Sequence, residues 1–239
     1  MSGAPDAARV MAAVRATWPP SALRRVGAFD LPAEAHGTRR GTAARPAPGA
    51  APTEADVAAL EAARPGGAVA LVDGADDATA VLLEGVGHVP SAPSDLMAGP
   101  VSAAMGPLPP TSGFAHWPPL AICEAMWDAH GNDAARRAPM HRAPAPRTAL
   151  LLRHADRAVG ALFVGVDGDV AVLHLVLTLP RARRQGVGRL GLAHAAAWAR
   201  DHGAAHLALP VEASNAGAVA LYARAGLERV GGYRYWSRP

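Results

Sequence analysis

Cysteine is almost missing from this sequence. Cys123 stands alone among 239 residues, so the chain cannot close an internal disulfide or build a paired-cysteine metal site. That usage fits a reducing compartment. Aromatic residues make up 5% of the chain, and the arginines are scattered with few aromatic neighbours. The net charge of +3 and the pI of about 9.7 therefore give no nucleic-acid footprint. No apolar run reaches the ~18 residues of a membrane span. Residues 1–20 mix acidic and basic side chains and lack the apolar core of a signal peptide. The expectation is a cytoplasmic protein with no nucleic-acid or membrane partner.

Several catalytic and binding motifs are also absent. There is no G-x-x-x-x-G-K-[ST], which excludes a phosphate-binding P-loop of that type. The ten histidines show no HExxH or similar spacing, so no metal is expected.

Half of the chain is apolar, enough for a sizeable core. The spacing predicts helices over 7–17, 54–63 and 76–86, and a buried strand over 68–72. Residues 45–53 and 90–119 are rich in proline, glycine and small residues, and read as a loop and a connector. A domain boundary is expected near residue 110, giving units 1–110 and 111–239. In the second half, helices are predicted over 120–130 and 133–138, the latter stopped by Pro139. Strands follow at 148–154, 159–166 and 170–179, the last two joined by the hairpin signal Asp167-Gly168-Asp169. A helix over 187–202, a strand over 206–211, a helix over 215–225 and a strand over 227–236 complete the chain. This α/β order places antiparallel strands before a βαβ crossover and predicts a mixed sheet.

Arg183-Arg184-Gln185-Gly186-Val187-Gly188 sits where a predicted strand turns into a helix. Glycine allows close backbone approach, and a helix start offers unpaired N–H groups to an anion. An ordinary βα turn with solvated arginines gives the same residues. A dinucleotide fingerprint fits less well: the loop follows antiparallel strands, and no acidic residue ends the next strand, Leu209-Pro210-Val211. The better match is [Arg/Gln]-x-x-Gly-x-Gly. A second signature, N-x-x-A-x-x-L-Y-x-x-x-G, runs from Asn215 through Ala218, Leu221 and Tyr222 to Gly226.

Together these two segments resemble the GNAT superfamily of acyl-CoA N-acyltransferases, over roughly residues 115–239. The resemblance implies the GNAT fold, with acetyl-CoA as donor and an amine as acceptor. It implies that backbone amides of the 183–188 loop hold the pyrophosphate, and that Val176, Leu177 and Thr178 on the preceding strand pair with the pantetheine arm near a bulge. Arg183, Arg184 and Gln185 then lie beside the phosphates. Asn215 caps its helix or also touches the cofactor.

Acyl transfer to an amine needs a deprotonated amine, a stabilised oxyanion and a proton for the leaving thiolate. Tyr222 occupies the family's tyrosine position, which implies general-acid duty; packing on the inner helix face is its structural alternative. The strand before the loop carries no Asp or Glu, a departure from the family's common carboxylate base. His174 and Glu212 are the candidate bases, beside transfer with no dedicated base. Cys123, on a predicted helix, reads as a small buried apolar residue rather than a nucleophile.

Residues 68–72 and 76–86 echo the strand and helix over 206–225. That echo suggests a degenerate N-terminal GNAT-like half, as in tandem GNAT proteins, with an unrelated α/β cap as the alternative. Such a half would help to form the acceptor pocket, with His116-Trp117-Pro118-Pro119 as a wall or as a rigid linker. The acceptor expected is a small or amino-acid-like amine. A protein N-terminus, or a non-catalytic acyl-CoA-binding role, stands as the rival. The state expected is monomer or homodimer.

Overall fold

A computed structural model describes residues 3–35 and 37–239; His36, one of the ten histidines, lies outside them. Helix α1 (Ala7–Ala16) leads into strands β1 (Leu23–Val26) and β2 (Phe29–Pro32), the short helix α2 (Arg39–Thr42) and strand β3 (Arg45–Pro46). Helix α3 (Glu54–Ala63), strand β4 (Val69–Val72), helix α4 (Asp77–Gly85), strand β5 (Val89–Pro100) and helix α5 (Val101–Ala104) follow. The second half contains β6 (Gly113–His116), α6 (Ala121–Asp128), α7 (Ala134–Arg142), β7 (Arg147–His154), β8 (Arg157–Asp167) and β9 (Val170–Thr178). It ends with α8 (Val187–Asp201), β10 (His206–Glu212), α9 (Ala216–Arg224) and β11 (Glu228–Ser237). Among the described residues, no helix is long and apolar enough to cross a membrane.

Eight strands form one sheet in the order β4-β11-β5-β10-β9-β8-β7-β6. All neighbours are antiparallel except β10 and β9. The mixed α/β sheet expected from the element order is thus present. Strands β1, β2 and β3 make a separate small sheet.

Alternation along the strands assigns the layers. Leu150, Leu152, Leu162 and Val164 pack with Leu192 and Ala196 of α8 on one face. Ala149, Leu151 and Phe163 pack with Cys123, Trp127 and Met140 of α6 and α7 on the other. Helix α1 covers the same side further along, burying Val10, Ala13 and Val14 against Leu96, Val172 and Ala208. The charge pair Arg9–Asp167, 2.7 Å apart, fixes the start of α1 to the β8–β9 hairpin.

The strand–helix–strand units β4-α4-β5 and β10-α9-β11 interlock. Strand β11 inserts between β4 and β5, while β5 inserts between β11 and β10. Each unit thus lends its last strand to the other, and the sheet runs without a break across the connector near residue 110.

Two expectations need correction. Residues 90–119 are not a connector throughout, since β5 alone spans 12 residues within or beside them. Its prolines hide the pattern, and its hydrogen bonding to β10 and β11 supplies the order that local sequence does not. Pro139 does not stop α7, which continues to Arg142. The proline removes one intrahelical donor, while fully buried Met140 anchors the next residue in the core.

Candidate active site

Strands β9 and β10 separate. They pair only over His206–Val170, Leu207–Ala171 and Ala208–Val172, although β9 continues to Thr178 and β10 to Glu212. Beyond Val172 the β10-facing edge of β9 has no strand partner, while β10 stays paired to β5 through Glu212. A slot opens between two parallel strands, where the ladder that joins them ends at Ala208–Val172. Unpaired backbone donors and acceptors need partners.

A bulge deepens this divergence. The β8–β9 register slips between Ala161–Leu177 and Phe163–His174, and Leu175 has φ +51°. Leu173 packs on the α8 side, whereas Leu175 and Leu177 pack on the α6 side with Phe163. One extra residue has therefore reversed the facing of the strand end. Val176 becomes 39% exposed, and Leu177 and Thr178 are half-buried.

The slot leads to the start of α8. A short 3₁₀ turn, Pro180–Ala182, precedes Arg183; Arg184 has φ +63° and Gly186, at the N-cap, φ +80°. No side chain caps α8, and its first-turn N–H groups lack intrahelical partners. With the helix dipole they form an anion seat. Arg183 and Arg184 are exposed and have no carboxylate within ion-pair distance among the described residues. Gln185 folds back, its Nε2 donating to the Arg181 carbonyl at 2.9 Å, and Val187 is buried.

Gly188 has a different duty from Gly186. A Cβ there would lie 2.7 Å from Leu221 Cδ2, whereas one at Gly186 would meet nothing within 4 Å. Gly188 thus lets α9 close on the first turn of α8, and the next α9 residue is Tyr222. Its ring is buried in the cluster containing Val187, Leu209 and Val211. Burial pushes its hydroxyl up to about 12, so the phenol stays protonated across the neutral range. Asn215 Oδ1 accepts from the Ala218 N–H at 3.1 Å and caps α9.

The two candidate bases lie in different surroundings. His174 is 2% exposed, stacked on Trp18 at 4.7 Å, with Nε2 2.8 Å from Thr17 Oγ1. The Thr17 hydroxyl donates to the Ala13 carbonyl, so it accepts from His174 Nε2–H. Burial, with Arg40 nearby, holds the imidazole well below its usual value. Glu212 is exposed at the end of β10 and lines a cleft of about 480 Å³. Tyr222 belongs to the α8 side of the sheet and the cleft to the α1 side, with the slot between them. Residues 37–40 and 136 also line that cleft; His116 and Trp117 do not. Trp117 instead stacks near Phe163 and under the Arg147 guanidinium.

Sequence patterns alone missed Trp127 and the cleft arginines. Trp127 Nε1 donates to the carbonyl of Leu175 at the bulge. Cys123 is buried and its thiol is pushed up to about 11 by desolvation, the state of an inert core cysteine.

Residues 117–227 match the acetyltransferase (GNAT) family. No curated protein matches the sequence. Among solved structures, a GCN5-related N-acetyltransferase from Kribbella flavida is 24% identical, with a TM-score of 0.73, covering 98% of this chain and 95% of its own. A tandem GNAT protein from the clavulanic acid biosynthesis pathway is 14% identical, with a TM-score of 0.61, covering 92% and 84%. A GNAT-family acetyltransferase from Novosphingobium aromaticivorans is 18% identical, with a TM-score of 0.56, covering 90% of each chain. These likenesses are of fold, and they extend through the first half of the chain. The family match is thus confined to residues 117–227, while the likeness of fold to GNAT structures runs through nearly the whole chain.

Proposed function

We propose that this protein transfers the acetyl group of acetyl-CoA directly to a primary amine of a small molecule. The observation that carries the reading is the slot between β9 and β10, ending at the uncapped start of α8. The residues present fit the donor. The edge of residues 176–178 that faces away from β8 has no strand beside it and suits an amide-containing arm, and the N–H groups of 186–188 suit a pyrophosphate. Arg183 and Arg184 add charge-assisted bonds to phosphates. When bound, acetyl-CoA supplies an activated acyl group and leaves as a thiolate that needs a proton. Tyr222 holds that proton at Oη. Glu212, on the cleft side, is placed to take the proton of the incoming ammonium, directly or through water. His174 serves the core, enclosed by Thr17 and Trp18. No covalent enzyme intermediate is assigned, and Cys123 takes no part.

Residues 1–110 are read as a degenerate GNAT-like half, and residues 111–239 as the catalytic half. The interlocked units β4-α4-β5 and β10-α9-β11 support this division by repeat rather than by a break in the sheet. The test is thiol release from acetyl-CoA with a panel of small amines, beside calorimetric binding of CoA. Binding with amine-dependent release supports the reading. Failure to bind CoA overturns it, as does thiol release that no amine accelerates.

A further inference from the structure

The 480 Å³ cleft is formed jointly by the two halves of the chain. Thr38, Arg39 and Arg40 come from the first half, and Arg136 with Pro210, Val211 and Glu212 from the second. Ser94, Tyr233 and Tyr235 form its floor, where β5 and β11 pair. Among the described lining residues, three arginines face one carboxylate. Among the described residues, none of the three arginines has a carboxylate within ion-pair distance, although Arg9, Arg142, Arg229 and Arg234 elsewhere are paired this way.

Two of the three guanidiniums lie over aromatic rings. Arg40 lies over the Trp18 ring at 5.6 Å, and Arg39 over Tyr235 at 5.8 Å. A guanidinium packed on an aromatic face keeps its planar fork of N–H donors free for a bidentate anion. Arg39 uses one donor on Ser91 Oγ at 3.1 Å. Among the described residues the buried Nε of Arg40 has no partner, a donor that folded proteins rarely leave unmet. The cleft starts at the end of β10, beside the slot.

We infer that the acceptor is a small amine carrying an anionic group, carboxylate or phosphate, which Arg39, Arg40 and Arg136 hold while Glu212 meets the amine end. This rests on the acetyl-transfer reading above. The cleft has the polarity for such a molecule, positive where the anion docks and negative where an ammonium enters. Its volume suits a metabolite of a few to a few tens of heavy atoms.

The test uses matched pairs in the thiol-release assay on the full chain. Amino acids are compared with their carboxamides, and phosphoethanolamine with ethanolamine. The anionic member of at least one pair is expected to show kcat/KM ~10-fold or more above its neutral partner, the scale of a charge-assisted bond. Whichever pair shows it identifies the anion. Arg136→Gln and Arg40→Gln are expected to bring that ratio toward one. Arg136 is exposed, so its variant keeps the test valid should Arg40→Gln fail to fold. Binding of the same compounds is read by calorimetry on the CoA-saturated protein. A protein that binds acetyl-CoA but ignores the anion in both readouts overturns the inference and leaves the proposed reaction standing. A preference that survives both substitutions overturns it equally. A protein that does not bind acetyl-CoA overturns both.

Discussion

Trp127 Nε1 donates a hydrogen bond to the carbonyl of Leu175 at 2.9 Å, and Leu175 is where β9 adopts φ +51°. A helix indole thus holds the bulge that turns the strand end away from β10. The bond is part-buried, and losing it leaves a carbonyl unmet. Trp127→Phe keeps most of the apolar packing and removes the donor. It is expected to destabilise the fold by ~1–2 kcal/mol. It is also expected to weaken acetyl-CoA binding several-fold, because the slot is no longer fixed in shape. Denaturant unfolding and calorimetry check the two effects; unchanged affinity would separate the bulge from the donor site.

The two glycines of the loop should respond differently. At Gly186 there is room for a Cβ but the backbone is left-handed, so Gly186→Ala is expected to cost ~1 kcal/mol through backbone strain. Gly186→Glu adds a negative charge at the anion seat and is expected to lower acetyl-CoA affinity much further than Ala does. At Gly188 the obstacle is packing. Gly188→Val pushes Leu221 away and shifts α9, with ~1–3 kcal/mol lost. Its signature is reduced kcat through a displaced Tyr222, read against the melting curve.

Tyr222→Phe is expected to lower kcat ~10²-fold or more while leaving the KM for acetyl-CoA nearly unchanged. The pH dependence has a defined sign. The folded-state value is raised from 10 to about 12, so the unfolded chain loses this proton first. The stability tied to Tyr222 is fully present below about 10 and is lost as pH rises through about 12. Tyr235, also raised by burial, adds a loss of the same sign. Unfolding midpoints between pH 9 and 11, compared for wild type and Tyr222→Phe, read the difference. Unaltered turnover in the variant would remove Tyr222 from the chemistry.

The proposed donor site was more legible in the sequence than the proposed acceptor cleft, for a physical reason. The 183–188 loop and the 215–227 segment are local: strand end, turn and helix start fall within a few residues, so their glycines, capping Asn215 and apolar spacing carry the signal. Strand β5 is not local. Pro90, Pro93 and Pro100 interrupt its pattern, and its order comes from β10 and β11, more than 100 residues away. Arg39 and Arg40 sit on a single helical turn that tertiary packing carries to the end of β10. His174 reads as an alternating inward residue until the bulge at Leu175, which places His174 and its neighbour on the same side. No side-chain periodicity announces that slip, and only the pairing with β8 reveals it.

His174 supplies the last prediction. Its value is depressed by burial, so the unfolded chain takes up the proton first as pH falls. The stability it contributes is present above its unfolded value near 6.5 and is lost as pH falls below that. The melting temperature should therefore drop between pH 7 and 5, and His174→Gln should flatten that part of the profile. The same variant is expected to retain kcat once its stability is matched by working at lower temperature. Glu212→Gln should do the reverse: it should leave the melting curve almost unmoved, since Glu212 is exposed, while lowering kcat. If His174→Gln instead abolishes turnover in a folded protein and removes the acid limb of the pH–rate profile, the base is His174. The wall formed by Trp18 and Thr17 would then have to open during each cycle.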